Sequence, residues 1–90
     1  MKISNSKRSK ISEQILAYLY SISPKPAFTL YIAQEIARNE EFVKTLLLDL
    51  KEKQLILEIK KNPKGVPYLK RSRWRLTEKT FNLYKSKQTI

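Results

Sequence analysis

The chain has 90 residues, and its 19 lysines and arginines outnumber its 8 acidic residues, which gives a formal net charge of +11. One domain is expected at this length, and 41% hydrophobic residues suffice for one compact core. The sequence has no cysteine and no histidine, which excludes disulfides and the usual zinc ligands. Its single glycine excludes a glycine-rich phosphate loop. We therefore expect neither an enzyme nor a bound metal or cofactor.

The positive charge is concentrated at the two ends of the sequence. Residues 1–12 carry four basic and no acidic side chains, and residues 59–90 carry ten basic side chains against Glu78 alone. Residues 13–58 are close to neutral. Such an excess of one sign indicates a polyanion as partner. The longest stretch without a formal charge runs from Gln14 to Pro24, too short for a membrane span, so we expect a cytoplasmic protein with no membrane partner.

Three helices are expected in the first 54 residues. The first is preceded by a polar arm and capped by Ser9 or Ser12, and Ser23-Pro24 ends it. Its apolar face is predicted at Ile11, Ile15, Tyr18, Leu19 and Ile22. Thr29 is predicted to cap the second helix, whose buried side would carry Leu30, Ala33, Ile36 and Ala37.

Asn39 is a good N-cap for the third helix, and Glu40 and Glu41 suit the positive end of its dipole. The spacing predicts a buried side that carries Val43, Leu46, Leu47, Leu50 and Gln54. The opposite side is predicted to carry Glu41, Thr45, Leu48 and Glu52.

Beyond Lys53 the apolar spacing changes to an alternation, which predicts a strand over residues 55–60. Asn62-Pro63-Lys64-Gly65 fits a type I turn. A second strand over residues 71–76 would bury Trp74 and Leu76. It would expose Arg71, Arg73 and Arg75. Thr77 then caps a final helix, with Phe81 and Tyr84 facing inward.

This order of elements, with two stretches of sequence, resembles the winged helix-turn-helix DNA-binding superfamily, and in size and composition its small archaeal, plasmid and viral members. The first stretch is Ile32-Ala33-Gln34-Glu35-Ile36, followed at family spacing by Val43, Leu47, Leu50, Leu55 and Ile56. The second is Trp74-Arg75-Leu76-Thr77-Glu78-Lys79. The family often has glycine at the turn where this chain has Ala37.

The resemblance implies an α+β, mostly helical fold of three helices, a two- to three-stranded wing and a C-terminal helix. Residues 1–8 would form a basic arm, residues 9–87 the winged-helix domain and residues 88–90 a tail. The third helix would enter the major groove, and the wing would lie on the backbone or in the minor groove. Base-reading candidates are Glu41, Lys44, Thr45 and Leu48. Backbone or wing candidates are Tyr31, Lys60, Lys61, Lys64, Lys70, Arg71, Arg73 and Arg75, and arm candidates are Lys7, Arg8 and Lys10.

The function that these features favour is sequence-specific regulation of transcription, with double-stranded DNA as partner and no small-molecule effector. A homodimer is expected, with Leu16 and Tyr20 on an exposed second face of the first helix and Leu83 on the last helix as contacts. The protein would then be associated with the nucleoid or a plasmid. One alternative is a segregation or DNA-organising protein that spreads along DNA. A second is a winged-helix adaptor that binds another protein.

Overall fold

The computed structural model describes residues 5–67 and 71–88. Within these ranges, the strand Arg73–Leu76 lies at the centre of an antiparallel three-stranded sheet, between Ala27–Phe28 and Ile56–Ile59. The sheet and the helices confirm the predicted α+β fold. The elements in chain order are α1 (Asn5–Ile22), β1 (Ala27–Phe28), α2 (Thr29–Glu35), α3 (Glu40–Glu52), β2 (Ile56–Ile59), β3 (Arg73–Leu76) and α4 (Glu78–Gln88).

The core is built around Trp74, which is fully buried in the central strand. Its indole Nε1 donates a hydrogen bond to Thr29 Oγ1 at 2.8 Å, so the polar atom of the ring is satisfied. Leu76 on the same side of β3 is also buried, as the alternation predicts. The helices complete this core with Ile11, Ile15, Leu16, Leu19, Ile32, Ala33, Val43, Leu46, Leu47 and Leu50.

Helix α3 forms as its sequence predicts. The side chain of Asn39 caps its start by accepting a hydrogen bond from Phe42 N at 3.1 Å. The prediction that Gln54 lies on its buried side is wrong, because α3 ends at Glu52 and Gln54 is exposed, with φ at 63°. Ala37, in the turn before α3, has φ at 55°, so it also lies in the left-handed region. The four predicted aliphatic positions are buried: Val43, Leu46, Leu47 and Leu50.

Helix α1 starts earlier than predicted, and its buried arc contains the predicted apolar face but is wider. It begins at Asn5, four residues before the earlier predicted cap, Ser9. The basic residues assigned to an arm, Lys7, Arg8 and Lys10, therefore lie on a helix; residues 1–4 lie outside the described ranges.

The prediction that Leu16 and Tyr20 lie on an exposed second face is also wrong. Leu16 is only 5% exposed and lies beside Leu46 of α3. Tyr20 is half-buried, with its ring centroid 5.4 Å from that of Phe81 and 5.6 Å from that of Tyr84. The physical reason is that α1 packs against α2, α3, β3 and α4, so its buried arc is wider than one stripe.

A hydrogen bond extends the contact between α1 and α4. The hydroxyl of Tyr84 donates to Glu13 Oε2 at 2.7 Å. Partial burial, together with this bond and the carboxylate charge, raises the pKa of Tyr84 to about 12. Phe81 and Tyr84 are thus half-buried against the core, as predicted for the final helix.

Helix α2 has a different buried face from the predicted one. Its N-cap is Phe28, which makes no side-chain cap bond, and Thr29 is the first helical residue. Because the Thr29 hydroxyl faces Trp74, helical spacing places Ile32 and Ala33 inward as well. Leu30 is consequently 48% exposed, against expectation. Ala37 lies beyond the helix and is also exposed, whereas Ile36 is half-buried.

The strands β2 and β3 form the predicted hairpin, in which Ile56 pairs with Leu76 and Ile59 with Arg73. Its turn is closed by Asn62, whose carbonyl accepts from Gly65 N at 2.9 Å. Asn62 Oδ1 also accepts from the backbone N of Lys64 and of Val66, each at 2.9 Å. Lys70 lies outside the described residues.

Thr77 follows the hairpin as the predicted cap of α4. Its hydroxyl oxygen lies 3.3 Å from the backbone N of Thr80, which donates to it. Thr80 is itself buried, so this end of α4 is fixed to the sheet. The hairpin and α4 are therefore joined within Trp74–Lys79, the second stretch that resembles the family.

Candidate nucleic-acid interface

The outer face of α3 forms one wall of a concavity of about 540 Å³, which we call the α3 groove. The opposite walls come from β1, the start of α2 and the residues before β3. All four base-reading candidates, Glu41, Lys44, Thr45 and Leu48, line this groove. It is completed by Phe28, Thr29, Leu30, Glu40, Arg71 and Ser72.

The α3 groove presents acceptors, donors and apolar surface side by side. Glu40 and Glu41 are exposed, and among the described residues neither forms an ion pair. Thr45 donates its hydroxyl to the carbonyl of Glu41 at 3.0 Å, so its hydrogen is already used within the helix. Leu48 is 44% exposed. Carboxylate, ammonium and methyl groups on one helix face are the chemistry that reads cytosine, guanine and thymine edges.

The hairpin carries most of the basic candidates. Lys60, Lys61 and Lys64 are exposed, and Lys60 Nζ lies 4.0 Å from Glu58 Oε1. Arg73 is half-buried and donates to the carbonyl of Lys61 at 3.1 Å, which ties one end of the hairpin together. No acidic residue occurs between positions 59 and 77 of the sequence. The hairpin surface is therefore strongly positive.

Glu58 connects this hairpin to α3. Its carboxylate accepts from Lys51 Nζ of α3 at 2.8 Å and from Ser72 Oγ at 2.6 Å. Burial raises the pKa of Glu58, but the bonds from Lys51 and Ser72 and the charges of Lys51 and Lys60 outweigh it, so the pKa is lowered overall. A half-buried, ionised Glu58 thus fixes the hairpin relative to α3. Sequence reasoning did not assign it a role.

The remaining DNA candidates lie at several places. Tyr31 is 57% exposed on α2, with its ring centroid 6.1 Å from that of Phe28. Arg71 is exposed and lies with its guanidinium carbon 4.7 Å above the Phe28 ring. The prediction that Arg73 and Arg75 are exposed is wrong, because both are half-buried on the central strand β3. Arg8 lies 6.0 Å from the Phe42 ring, outside the α3 groove.

Some residues of the α3 groove were not predicted from the sequence. Phe28 lies on a segment that carries no motif, Ser72 was assigned only to the second predicted strand, and Leu30 was assigned to the core. The exposure of Leu30 depends on the rotation of α2, which the contact between Thr29 and Trp74 sets. Only the tertiary structure shows these residues facing α3.

Within the described ranges, no group of three or more acidic residues could hold a metal ion. No helix there combines the length and the apolar character that crossing a bilayer requires.

Of the dimer candidates, Leu83 is 53% exposed on α4.

No protein-family model and no curated protein matches the chain. Among solved structures, a complex of Staphylococcus aureus MepR with DNA has a TM-score of 0.72 at 23% identity, over 97% of this chain and 63% of that one. A ZitR variant of Lactococcus lactis has a TM-score of 0.70 at 22% identity, over 99% of this chain and 56% of that one. The Zalpha domain of Carassius auratus PKZ, in complex with Z-DNA, has 0.62 at 20%, over 79% of this chain and 98% of that one.

These similarities confirm the winged-helix fold. In winged-helix terms, α2 and α3 form the helix-turn-helix, and β2 with β3 forms the wing. The chain spans 56% of the MepR chain in one structure and 63% in another, and almost the whole Zalpha domain.

Proposed function

We propose that this winged-helix protein binds double-stranded DNA and regulates transcription from specific sites. The observation that carries the proposal is the α3 groove: all four base-reading candidates line it together with Arg71. The wing, with its exposed lysines, follows α3 in the chain and is joined to it through Glu58. A duplex whose major groove receives α3 would therefore meet cations along its phosphates.

Each part of this surface has a separate task. Lys44 is a donor to guanine, Glu41 an acceptor from cytosine, and the methyl groups of Thr45 and Leu48 contact thymine. Lys60, Lys61 and Lys64 contact phosphates or the minor groove, and Arg71 contacts a phosphate beside α2. The solved complexes of MepR with DNA and of Zalpha with Z-DNA support a nucleic-acid partner for the fold.

The finer parts of the proposal concern assembly and place. We propose a homodimer that contacts through α4 around Leu83, a cytoplasmic protein on the nucleoid or a plasmid, no enzymatic activity and no small-molecule effector. A twofold dimer would recognise a pseudo-palindromic site. A segregation or DNA-organising protein would use the same contacts, but its footprint would lengthen with protein concentration. An adaptor would bind DNA only weakly, even at low salt.

The test of the proposal is fluorescence anisotropy on duplex sites selected from a random library, repeated over a range of salt concentrations. With about 4–6 phosphate contacts per subunit, the log–log slope should be about −4 to −5 for one subunit and twice that for a dimer. A slope near zero contradicts DNA binding.

Variants on α3 test whether this helix reads the bases. Lys44→Ala or Thr45→Ala should reduce the preference for the selected site over random duplex by about 1–3 kcal/mol. Lys79→Ala is the matched control, because Lys79 is exposed on α4, away from the α3 groove. If both variants still bind the selected site in preference to random duplex by the same factor as the wild type, another surface reads the site.

A further inference from the structure

A second concavity, of about 440 Å³, adjoins the α3 groove on the far side of Phe28. Its lining includes Tyr18, Lys25, Pro26, Phe28, Tyr31 and Arg73. The ring centroids of Phe28 and Tyr31 are 6.1 Å apart and their planes are inclined by 52°. We call these two rings, on β1 and α2, the aromatic platform.

The aromatic platform is continuous with the proposed DNA-binding surface. Phe28 lines both concavities, and the guanidinium of Arg71, which lies over its ring, lines the α3 groove. The second concavity has the cationic residues Lys25 and Arg73 on its wall and no acidic residue. A DNA strand that occupies the α3 groove can therefore continue across Phe28 toward Tyr31 without meeting a negatively charged side chain in the second concavity.

The ring of Tyr31 is not required by the core. The inward side of α2 is formed by Thr29, Ile32, Ala33 and Ile36, whereas Tyr31 is 57% exposed. An exposed aromatic ring beside cations is the combination by which proteins hold unpaired bases, since each base offers a π-face and each phosphate a charge.

We infer that the aromatic platform stacks an unpaired base of a DNA strand whose duplex part lies in the α3 groove. This inference rests on the proposed function and extends it from duplex DNA to duplex with a locally unpaired nucleotide. Tyr31 supplies the stacking face, and Lys25, which is exposed, contacts the adjoining phosphate. The aromatic ring, and not the phenolic hydroxyl, is the part of Tyr31 that binds.

The experiment uses the full chain and a set of duplexes that differ in one nucleotide. A single unpaired 2-aminopurine is placed as a bulge at successive positions along a selected site, and the fully paired duplex is the reference. At one position we expect binding about five- to tenfold tighter than to the paired duplex, with quenching of 2-aminopurine fluorescence on stacking.

Three variants separate the ring from other contributions. Tyr31→Ala should abolish the advantage of the unpaired base and the quenching, whereas Tyr31→Phe should retain both. Gln34→Ala is the control, because it also shortens an exposed side chain of α2 but lines neither concavity. Circular dichroism checks that each variant is folded.

The outcomes that overturn the inference differ from those that overturn DNA binding. Equal affinity for paired and bulged duplexes at every position contradicts the aromatic platform and leaves the proposed function intact. Equal losses for Tyr31→Phe and Tyr31→Ala on both duplexes would assign Tyr31 to a phosphate through its hydroxyl instead. Absence of binding to any duplex contradicts both proposals.

Discussion

At the residue scale, two polar side-chain contacts connect the core to the proposed DNA-binding surface. Thr29 accepts from the buried indole of Trp74, and this contact sets the rotation of α2, hence the exposure of Leu30 and Tyr31. Glu58 joins the wing to α3 through Ser72 and Lys51. Each contact affects stability and surface geometry together, so each can be tested by stability measurements without DNA.

Thr29→Val keeps the shape of the side chain but leaves the indole N–H of Trp74 without its acceptor. We expect the free energy of unfolding to fall by about 1–3 kcal/mol, the cost of a buried unsatisfied donor. Denaturation in urea, followed by the fluorescence of the single tryptophan, measures this change. Thr29→Ser retains the acceptor and should lose less; equal losses for both variants would show that the methyl group matters and the hydrogen bond does not.

The second residue-scale prediction concerns pH. The pKa of Glu58 in the folded protein lies below its ordinary value of 4.5, so the folded state favours the ionised carboxylate. Its contribution to stability is therefore complete above that ordinary pKa and is lost as the pH falls through the lower, folded value.

Glu58→Gln should consequently destabilise the protein at neutral pH and change its stability much less in acid, where the native carboxyl is already protonated. The measurement is the midpoint of urea unfolding as a function of pH. Glu52→Gln serves as control, since Glu52 is exposed at the end of α3. A destabilisation by Glu58→Gln that is the same at every pH would contradict the role of the charge.

At the scale of elements, the sequence predicts those whose signals are local. Helix α3 combines a side-chain cap at Asn39 with a full apolar stripe, and the hairpin combines alternation with the turn at Asn62; both form as expected. Strand β1 has two residues, too few to show a period. The buried face of α1 is wider than predicted and that of α2 is rotated, because neighbouring elements set them: Leu16 meets α3, and Thr29 meets Trp74. The candidate site shows the same difference. Its residues on α3 were predicted from the sequence, whereas on the opposite wall only Arg71 was predicted as a contact.

The wing is an element whose contribution to DNA binding can be isolated. Lys61→Ala combined with Lys64→Ala should weaken binding to selected and random duplexes by similar factors, because phosphates are alike in every sequence. The salt slope should become shallower by about 1.8, that is about 0.9 for each lost contact. Both lysines are exposed, so stability should hardly change. A loss confined to the selected site would instead assign base reading to the wing.

At the scale of the whole molecule, the net positive charge opposes the proposed dimerisation. Each copy carries a formal charge of +11, so two copies repel at low ionic strength. The MepR and ZitR chains that share the fold are longer, and this chain spans 56% of each in two of the structures. The exposed part of α4 around Leu83 is our candidate for a dimer contact.

Leu83→Glu should convert a dimer into a monomer, because the centre of an interface tolerates an introduced charge poorly. Folding should be preserved, since Leu83 is already 53% exposed. Sedimentation velocity measures the assembly, and wild-type dimerisation should strengthen with added salt while DNA binding weakens. A Leu83→Glu protein that sediments as the wild-type dimer would place the interface elsewhere; a wild-type monomer at every salt concentration would contradict the dimer.

The left-handed conformations of Ala37 and Gln54, one before and one after α3, bear on how the protein can evolve. A residue other than glycine there costs about 1–2 kcal/mol, and the backbone hydrogen bonds that close the helix ends beside both residues sustain it. Replacement by glycine removes this conformational cost. Part of the gain is offset, because glycine increases the conformational entropy of the unfolded chain. The chain thus holds a reserve of stability outside the α3 groove. If Lys44 and Thr45 read bases as proposed, a change there that weakens the fold can be compensated by glycine at Ala37 or Gln54, so specificity can drift while the fold persists.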